Sequence, residues 1–202
     1  MSKSKMKKGE VTRITIEDAA LELYMEHGYH ATSMRQIADQ AGLALGGIYN
    51  HFKSKEEIFE AIIVDKHPYK RILPIILTTE AEGLEEFLKN TMQIVIKELG
   101  SEPHYMKLML IELVEFNGRH GASLLKLLTP EVFPVFERLV KSRKDLRVTN
   151  PAMLMRYFFG MILSYFLTGM LISDSVLEKL MPKNLTDTYA DLVLHGILKC
   201  EA

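Results

Sequence analysis

The chain has 202 residues, 48% apolar and 25% charged, with a formal net charge of −1 and one cysteine, Cys200. This mix excludes a disordered chain and is long enough for one domain or two small ones. The lone cysteine excludes an internal disulfide framework and suits a reducing compartment.

Met1 to Glu10 is lysine-rich, but a polar helix start follows it and not the apolar run of a secretory signal, so the expected location is cytoplasmic. Lys3, Lys5, Lys7 and Lys8 form a basic arm that suits either a solubilising tail or minor-groove contact. The apolar spacing of Ala19, Ala20, Leu23 and Tyr24 predicts a first helix from about Ile16 to His27, ended by Gly28. Thr32 or Ser33 caps a second helix, and Gly42 supplies the positive φ of a tight turn. A third helix follows over about Leu45 to Phe52. Ser54 caps a fourth, with Glu56 and Glu57 in the first turn, where the helix dipole favours negative charge.

The fourth helix is expected to reach His67, where Pro68 bends or ends it, and Pro74 makes the continuation to Thr79 irregular. Helical segments then follow at about Gly83 to Leu99, Glu102 to Asn117, Ala122 to Leu128, and Glu131 to Ser142. Asn150-Pro151 is a cap followed by proline at the first helical position. It opens the most apolar stretch, Ala152 to Ile172, which reads as a helix buried on all sides. A last helix runs from about Thr186 to Lys199. No strand alternation is long enough to build a sheet, so the expected class is all-α.

The most informative stretch is 32–55. Ala38 lets two helices approach, Gly42 turns the chain, and Ile37, Leu43, Ile48 and Phe52 form an apolar wedge. Leu45, Gly46, Tyr49 and Asn50 are left pointing outward on a short helix, the layout of a helix-turn-helix at about 33–52. Ser33 to Ala38, Gly42, and above all the run Gly47-Ile-Tyr-Asn-His-Phe-Lys-Ser-Lys-Glu56 resemble the TetR-type transcriptional repressors. The resemblance covers roughly residues 12 to 60.

That resemblance implies a DNA-binding domain over 10–70 and a helical effector-binding and dimerisation domain over 71–202. Its implied function is a ligand-responsive repressor. It would bind a palindromic, double-stranded operator as a homodimer and be released by a small molecule. Carried over position by position, Thr32, Ser33, Tyr49, His51 and Lys55 fall on phosphate-contacting positions, with Arg35 and Gln36 at the start of the second helix. Leu45, Gly46, Gly47 and Asn50 face the bases, and Asn50 suits bidentate pairing with adenine. The chain departs from the pattern at Ala44, where relatives carry serine or threonine, and at Leu45, where a polar residue is usual. This polar-poor surface keeps open the alternative of a helical ligand-binding or interaction module that does not bind DNA.

The family uses its last two long helices to dimerise, which points to Phe159, Leu163, Phe166, Leu192, Val193 and Ile197. Met106, Met109, Phe116, Met155, Tyr157, Phe158, Met161 and Tyr165 form a methionine-aromatic stripe. It suits a pocket for a small apolar effector or an ordinary packed core. His104, Glu112, Glu115 and His120 are expected to be solvated or pocket-lining and not a metal site. No residues suggest a catalytic group, a metal or a cofactor, and neither an enzyme nor a membrane span is expected.

Overall fold

The computed structural model describes residues 7–79, 84–102 and 104–197; Lys3, Lys5 and Cys200 lie outside them. Among the described residues eleven helices follow in order: α1 Lys8–His27, α2 Met34–Gln40, α3 Leu45–Ile48, α4 Lys55–Asp65, α5 Tyr69–Thr78, α6 Leu84–Gly100, α7 Tyr105–Phe116, α8 Gly121–Ser142, α9 Pro151–Ile172, α10 Val176–Leu180 and α11 Leu185–Ile197. No strand occurs among the described residues, and the chain is all-α.

Helix α1 starts at Lys8, well ahead of the expected Ile16. Its first turns carry little apolar signal. Thr12 and Thr15 hydroxyls donate to the carbonyls of Lys8 and Val11, each at 3.0 Å. Gly28 ends the helix at φ 84°, a backbone conformation that costs glycine little. Ser54 opens α4 by accepting from the Glu57 amide at 3.1 Å, while Glu57 Oε2 accepts from the Lys53 amide at 2.7 Å. Pro74 sits inside a regular α5, not in an irregular stretch. Likewise α8 runs unbroken through Pro130 and Pro134, where two helices were expected. Each proline removes one amide from the ladder. Val132, Phe136, Leu139 and Val140 nevertheless keep packing on one core along that helix. The short α10, capped by Ser175, had no apolar periodicity to announce it.

The chain folds as two compact units, Met1–His67 with Lys107–Leu124, and Pro68–Met106 with Leu125–Ala202. The first break falls between His67 and Pro68. Nothing in the sequence signalled that Lys107–Leu124 joins the first unit. Its core gathers Ile16, Ala20 and Tyr24 of α1, Ile37 and Ala38 of α2, Ile48, Phe52, and Ile58, Phe59, Ile62 and Ile63 of α4, together with Leu108 and Phe116. Phe116 lies edge-on to Tyr29 at 4.9 Å and beside Phe59 at 4.8 Å, the offset geometries that aromatic quadrupoles favour.

Glu112, fully buried, closes the turn after α7. Its Oε1 accepts from the amides of His120 (2.6 Å) and Gly121 (2.9 Å), at the amino end of α8. Its Oε2 lies 2.8 Å from His120 Nδ1, and His120 Nε2 lies 3.3 Å from Glu56 on α4. The expected solvated or pocket-lining role therefore does not hold for Glu112 and His120, which are buried and paired. Glu115 instead pairs with His30, and His104 is exposed.

The second unit packs α5, α6, α8, α9 and α11 on Ile72, Leu88, Met92, Val95, Phe136, Leu146, Leu154, Phe158, Ile162, Ala190 and Leu194. Within the chain, Leu154, Phe158 and Ile162 are the buried residues of α9, whose burial on all sides was expected to draw on a second subunit. Within a single chain one face of the helix meets a core, and Met153, Tyr157, Leu163, Met170 and Leu171 remain exposed. By length and composition alone, α9 is also apolar enough to cross a membrane.

Glu17 is an acidic group at the core of the first unit, 2% exposed. Burial, followed by the nearby Asp65 charge, pushes its carboxyl up from 4.5 to about 7, against the pull of Arg13 at 3.2 Å. The folded chain thus holds a proton that the unfolded chain has released between those pH values. The Glu17 contribution is fully present below pH 4.5 and is lost as pH rises through about 7. Glu17→Gln is expected to be more stable than the parent at pH 8, by roughly 2 kcal/mol, with the advantage vanishing near pH 5. Denaturant titrations at both pH values check this; a destabilised variant at pH 8 would mean that the Arg13 pair outweighs burial.

Candidate nucleic-acid interface

Helix α2 begins with a reciprocal cap. The Gln36 amide donates to Ser33 Oγ at 3.3 Å and the Ser33 amide donates to Gln36 Oε1 at 2.8 Å. Two amides that the helix start would leave unpaired are covered in this way. After α2, Gly42 takes φ 66°, and the Leu43 amide donates to the Ala38 carbonyl at 2.9 Å, turning the chain sharply into α3. Ile48 and Phe52 are fully buried and hold that short helix on the core. The guanidinium of Arg13 covers the Phe52 ring from outside, 4.2 Å from its centre.

With these anchors inside, one surface is left outside. Arg35, Gln36, Gly46, Asn50 and Lys53 are exposed, Tyr49 is 51% exposed, and His51 is half-buried near Gly9 of α1. Tyr49 therefore faces solvent and is not a core residue. Leu45, expected to point outward, is half-buried against the core beside Leu43, because α3 is too short to turn it fully away. Gly47 sits 3.9 Å from the Leu43 side chain, whereas a methyl group placed on Gly46 would meet open space. The exposed cations Arg35 and Lys53, with His51, give a focused electropositive surface in a nearly neutral chain.

Two expected contact residues turn inward. Thr32 is 2% exposed, and its hydroxyl donates to the carbonyls of Gly28 (2.9 Å) and Leu23 (3.3 Å). Its side chain cannot reach a phosphate because it braces the bend between α1 and α2. The Lys55 ammonium meets the carbonyls of Tyr29 (2.5 Å) and Thr32 (2.7 Å) and lies 4.2 Å from the centre of the Tyr29 ring. Lys53, Arg13 and Gly9 belong to this surface by position. Sequence spacing offers little signal for the last two, which lie in the early turns of α1.

The residues of the methionine-aromatic stripe are shared out between the two cores. Phe116 and Met109 pack in the core of the first unit. Phe158, Met155 and Met161 pack in that of the second, to which buried Met106 also belongs. Tyr165 lies edge-on to Phe166 and Tyr189, each at 5.3 Å. A separate groove of about 370 Å³ between α6 and α11 is lined by Glu85, Lys89, Asn184, Asp187, Thr188 and Asp191, a polar set unlike the expected apolar one. Of the expected interface residues, Phe159 (37%), Leu163 (40%) and Leu192 (61%) are exposed. Phe166 leans on the core, and the side chains of Val193 and Ile197 lie outside the described residues.

Gly46→Ala is expected to stabilise the free protein by about 1 kcal/mol, since alanine costs less backbone entropy in a helix and meets no neighbour here. Thermal denaturation checks this, and a loss of stability would show that the backbone needs glycine at this position.

Comparison with known proteins agrees with this geometry. The family model for bacterial regulatory proteins, tetR family, matches residues 16–62. A fatty acid metabolism regulator protein of Bacillus subtilis is 43% identical over 61 residues, which are 30% of this chain and 31% of that one. The sequence match thus spans under a third of that relative's length. Over nearly the whole chain the fold is shared with solved structures. Salmonella enterica GusR has a TM-score of 0.69 at 23% identity, covering 98% of this chain and all of that one. The fatty acid degradation regulator FadR of Bacillus halodurans has a TM-score of 0.65 at 22% identity, covering 95% and 97%. Residues 16–62 thus match the tetR family of bacterial regulatory proteins, and the chain as a whole shares its fold with these solved regulators.

Proposed function

We propose that this chain is a DNA-binding transcriptional regulator that represses from a two-fold-symmetric operator as a homodimer, in the cytoplasm. The observation that carries the reading is the exposed surface of Arg35, Tyr49, Asn50, His51 and Lys53, held on a buried frame of Ile37, Ile48 and Phe52. Ser33, Tyr49, His51 and Lys53 have the chemistry to grip phosphates and fix the protein on the duplex, while Asn50 and Arg35 can read base edges. Gly46, open to solvent, lets the α3 backbone come close to the groove. The alternative of a module that does not bind DNA is disfavoured by the same set of exposed polar and basic side chains.

Dimerisation is supported by the uncovered apolar side chains of α9 and α11, among them Phe159, Leu163 and Leu192, which a second copy would remove from water. Two half-sites on one DNA face need two copies. The relatives named for fatty acid metabolism and degradation support a small apolar effector. Release would be a population shift, in which the effector favours a conformer that fits the operator poorly. Helices α7 and α8 supply a route, since Lys107–Leu124 packs with α4 in the first unit while both helices continue into the second in sequence.

Selection from a random duplex pool at near-physiological salt is expected to return a two-fold-symmetric consensus, bound less tightly as salt rises. Tyr49→Ala is expected to weaken every sequence alike. Asn50→Ala is expected to change the preference at one position by about 1–3 kcal/mol. No enrichment from a folded, soluble preparation would overturn the DNA-binding reading in favour of a binding module.

A further inference from the structure

The lysine that closes the family motif is expected to neutralise a phosphate, yet here its charge is already engaged within the protein. Lys55 is the first residue of α4. A cation there opposes the helix dipole, which favours negative charge at that end. Burial also lowers its pKa. What offsets both penalties is the loop between α1 and α2. Lys55 Nζ donates to the carbonyls of Tyr29 at 2.5 Å and Thr32 at 2.7 Å, with that of His30 at 3.5 Å, and the Tyr29 ring lies beside it. An ammonium has three N–H donors, and this set engages them.

The remaining groups of the loop are tied down by the same arrangement. The Thr32 hydroxyl donates to the Gly28 carbonyl at 2.9 Å, and the Thr32 amide donates to that of Tyr29 at 3.3 Å. From α1, the Tyr24 hydroxyl donates to the Lys55 carbonyl at 3.2 Å. To reach a phosphate, Lys55 would have to give up its bonds to the Tyr29 and Thr32 carbonyls in a half-buried loop, leaving that of Tyr29 with the longer bond from the Thr32 amide. Lys53, two residues earlier, is exposed, with its backbone amide already paired to Glu57.

We propose that Lys55 is a positioning residue that fastens the 28–32 loop to the start of α4, fixes where Ser33 begins α2, and leaves phosphate contact to its neighbours. The role in DNA affinity rests on the DNA-binding reading above. The loop is the only covalent link from α1 into α2, so its shape sets how Ser33 and the following turn face the duplex.

The first test uses the wild-type chain. Limited acetylation read by mass spectrometry is expected to modify Lys55 at least about tenfold more slowly than Lys53 in the free protein, as an engaged, half-buried amine should react. Adding the selected operator is expected to protect Lys53 and leave Lys55 unchanged. Fast acetylation of free Lys55, or protection that appears only with operator, would overturn the proposal.

The second test measures affinity per folded protein against salt for Lys55→Met and Lys55→Arg. Both are expected to lose about tenfold or more in affinity with the salt slope kept, because an arginine fork keeps the charge but cannot converge on these carbonyls. A wild-type arginine variant, or a methionine variant whose slope falls by about 0.9, would instead mark Lys55 as a phosphate contact. Unaltered affinity in both variants would reduce Lys55 to a purely structural residue and also overturn the proposal. Should the variants fail to fold, the acetylation of wild type decides. Should wild type select no operator, the DNA-binding reading fails, while the acetylation rate of free Lys55 still tests the fastening of the loop.

Discussion

A helix of four residues that contains two glycines has no stability of its own, and α3 is such a helix. It exists because Ile48 and Phe52 are fully buried against α1, α2 and α4, so that the core imposes the conformation that local propensity withholds. Every exposed group that the chain can offer to DNA from 45 to 53 depends on those two anchors. The reciprocal cap of Ser33 and Gln36 and the positive φ of Gly42 then fix the direction from which the short helix leaves the core. Weak intrinsic helicity at Gly46 and Gly47 is tolerable under such anchoring, and it leaves the backbone bare where a groove would meet it.

The core that holds α3 is completed from far along the chain. Phe116 and Leu108 sit in it, and the turn that follows α7 is pinned by buried Glu112 and by His120 against Glu56 of α4. A perturbation of α7 or α8 therefore acts on the same side chains that support the recognition surface. In energetic terms a buried carboxylate-imidazole pair tolerates little displacement, because separating the partners leaves each polar group without compensation.

The first unit was largely legible because its signals are local. Gly28, Ser33, Gly42 and Ser54 mark helix ends by chemistry that acts within a few residues, and Ile37, Ile48 and Phe52, read as an apolar wedge, are all fully buried. The early start of α1 was hidden because its first turns carry little apolar signal. Thr32 and Lys55 have side chains suited equally to phosphate and to carbonyls, and only the fold of the 28–32 loop shows which partner each one meets. The division of the methionine-aromatic stripe between two cores was hidden for a related reason. Helical spacing places Phe116 and Phe158 on apolar faces, but it does not say that those faces belong to different cores. Two helices were expected, one ending at about Leu128 and one starting at about Glu131, yet α8 runs through both, with Val132, Phe136, Leu139 and Val140 on one core.

The central claim is that a rigidly held surface formed by the start of α2 and by residues 44–53 meets the operator, while the loop that supports it is already fixed before DNA arrives. Amide hydrogen exchange of the wild-type chain, with and without a selected operator duplex, tests this directly. Protection gained over 33–36 and 44–53, with 28–32 equally protected in both states, is the predicted result. Protection that first develops over 28–32, or none over 44–53 while the duplex remains bound, would contradict it.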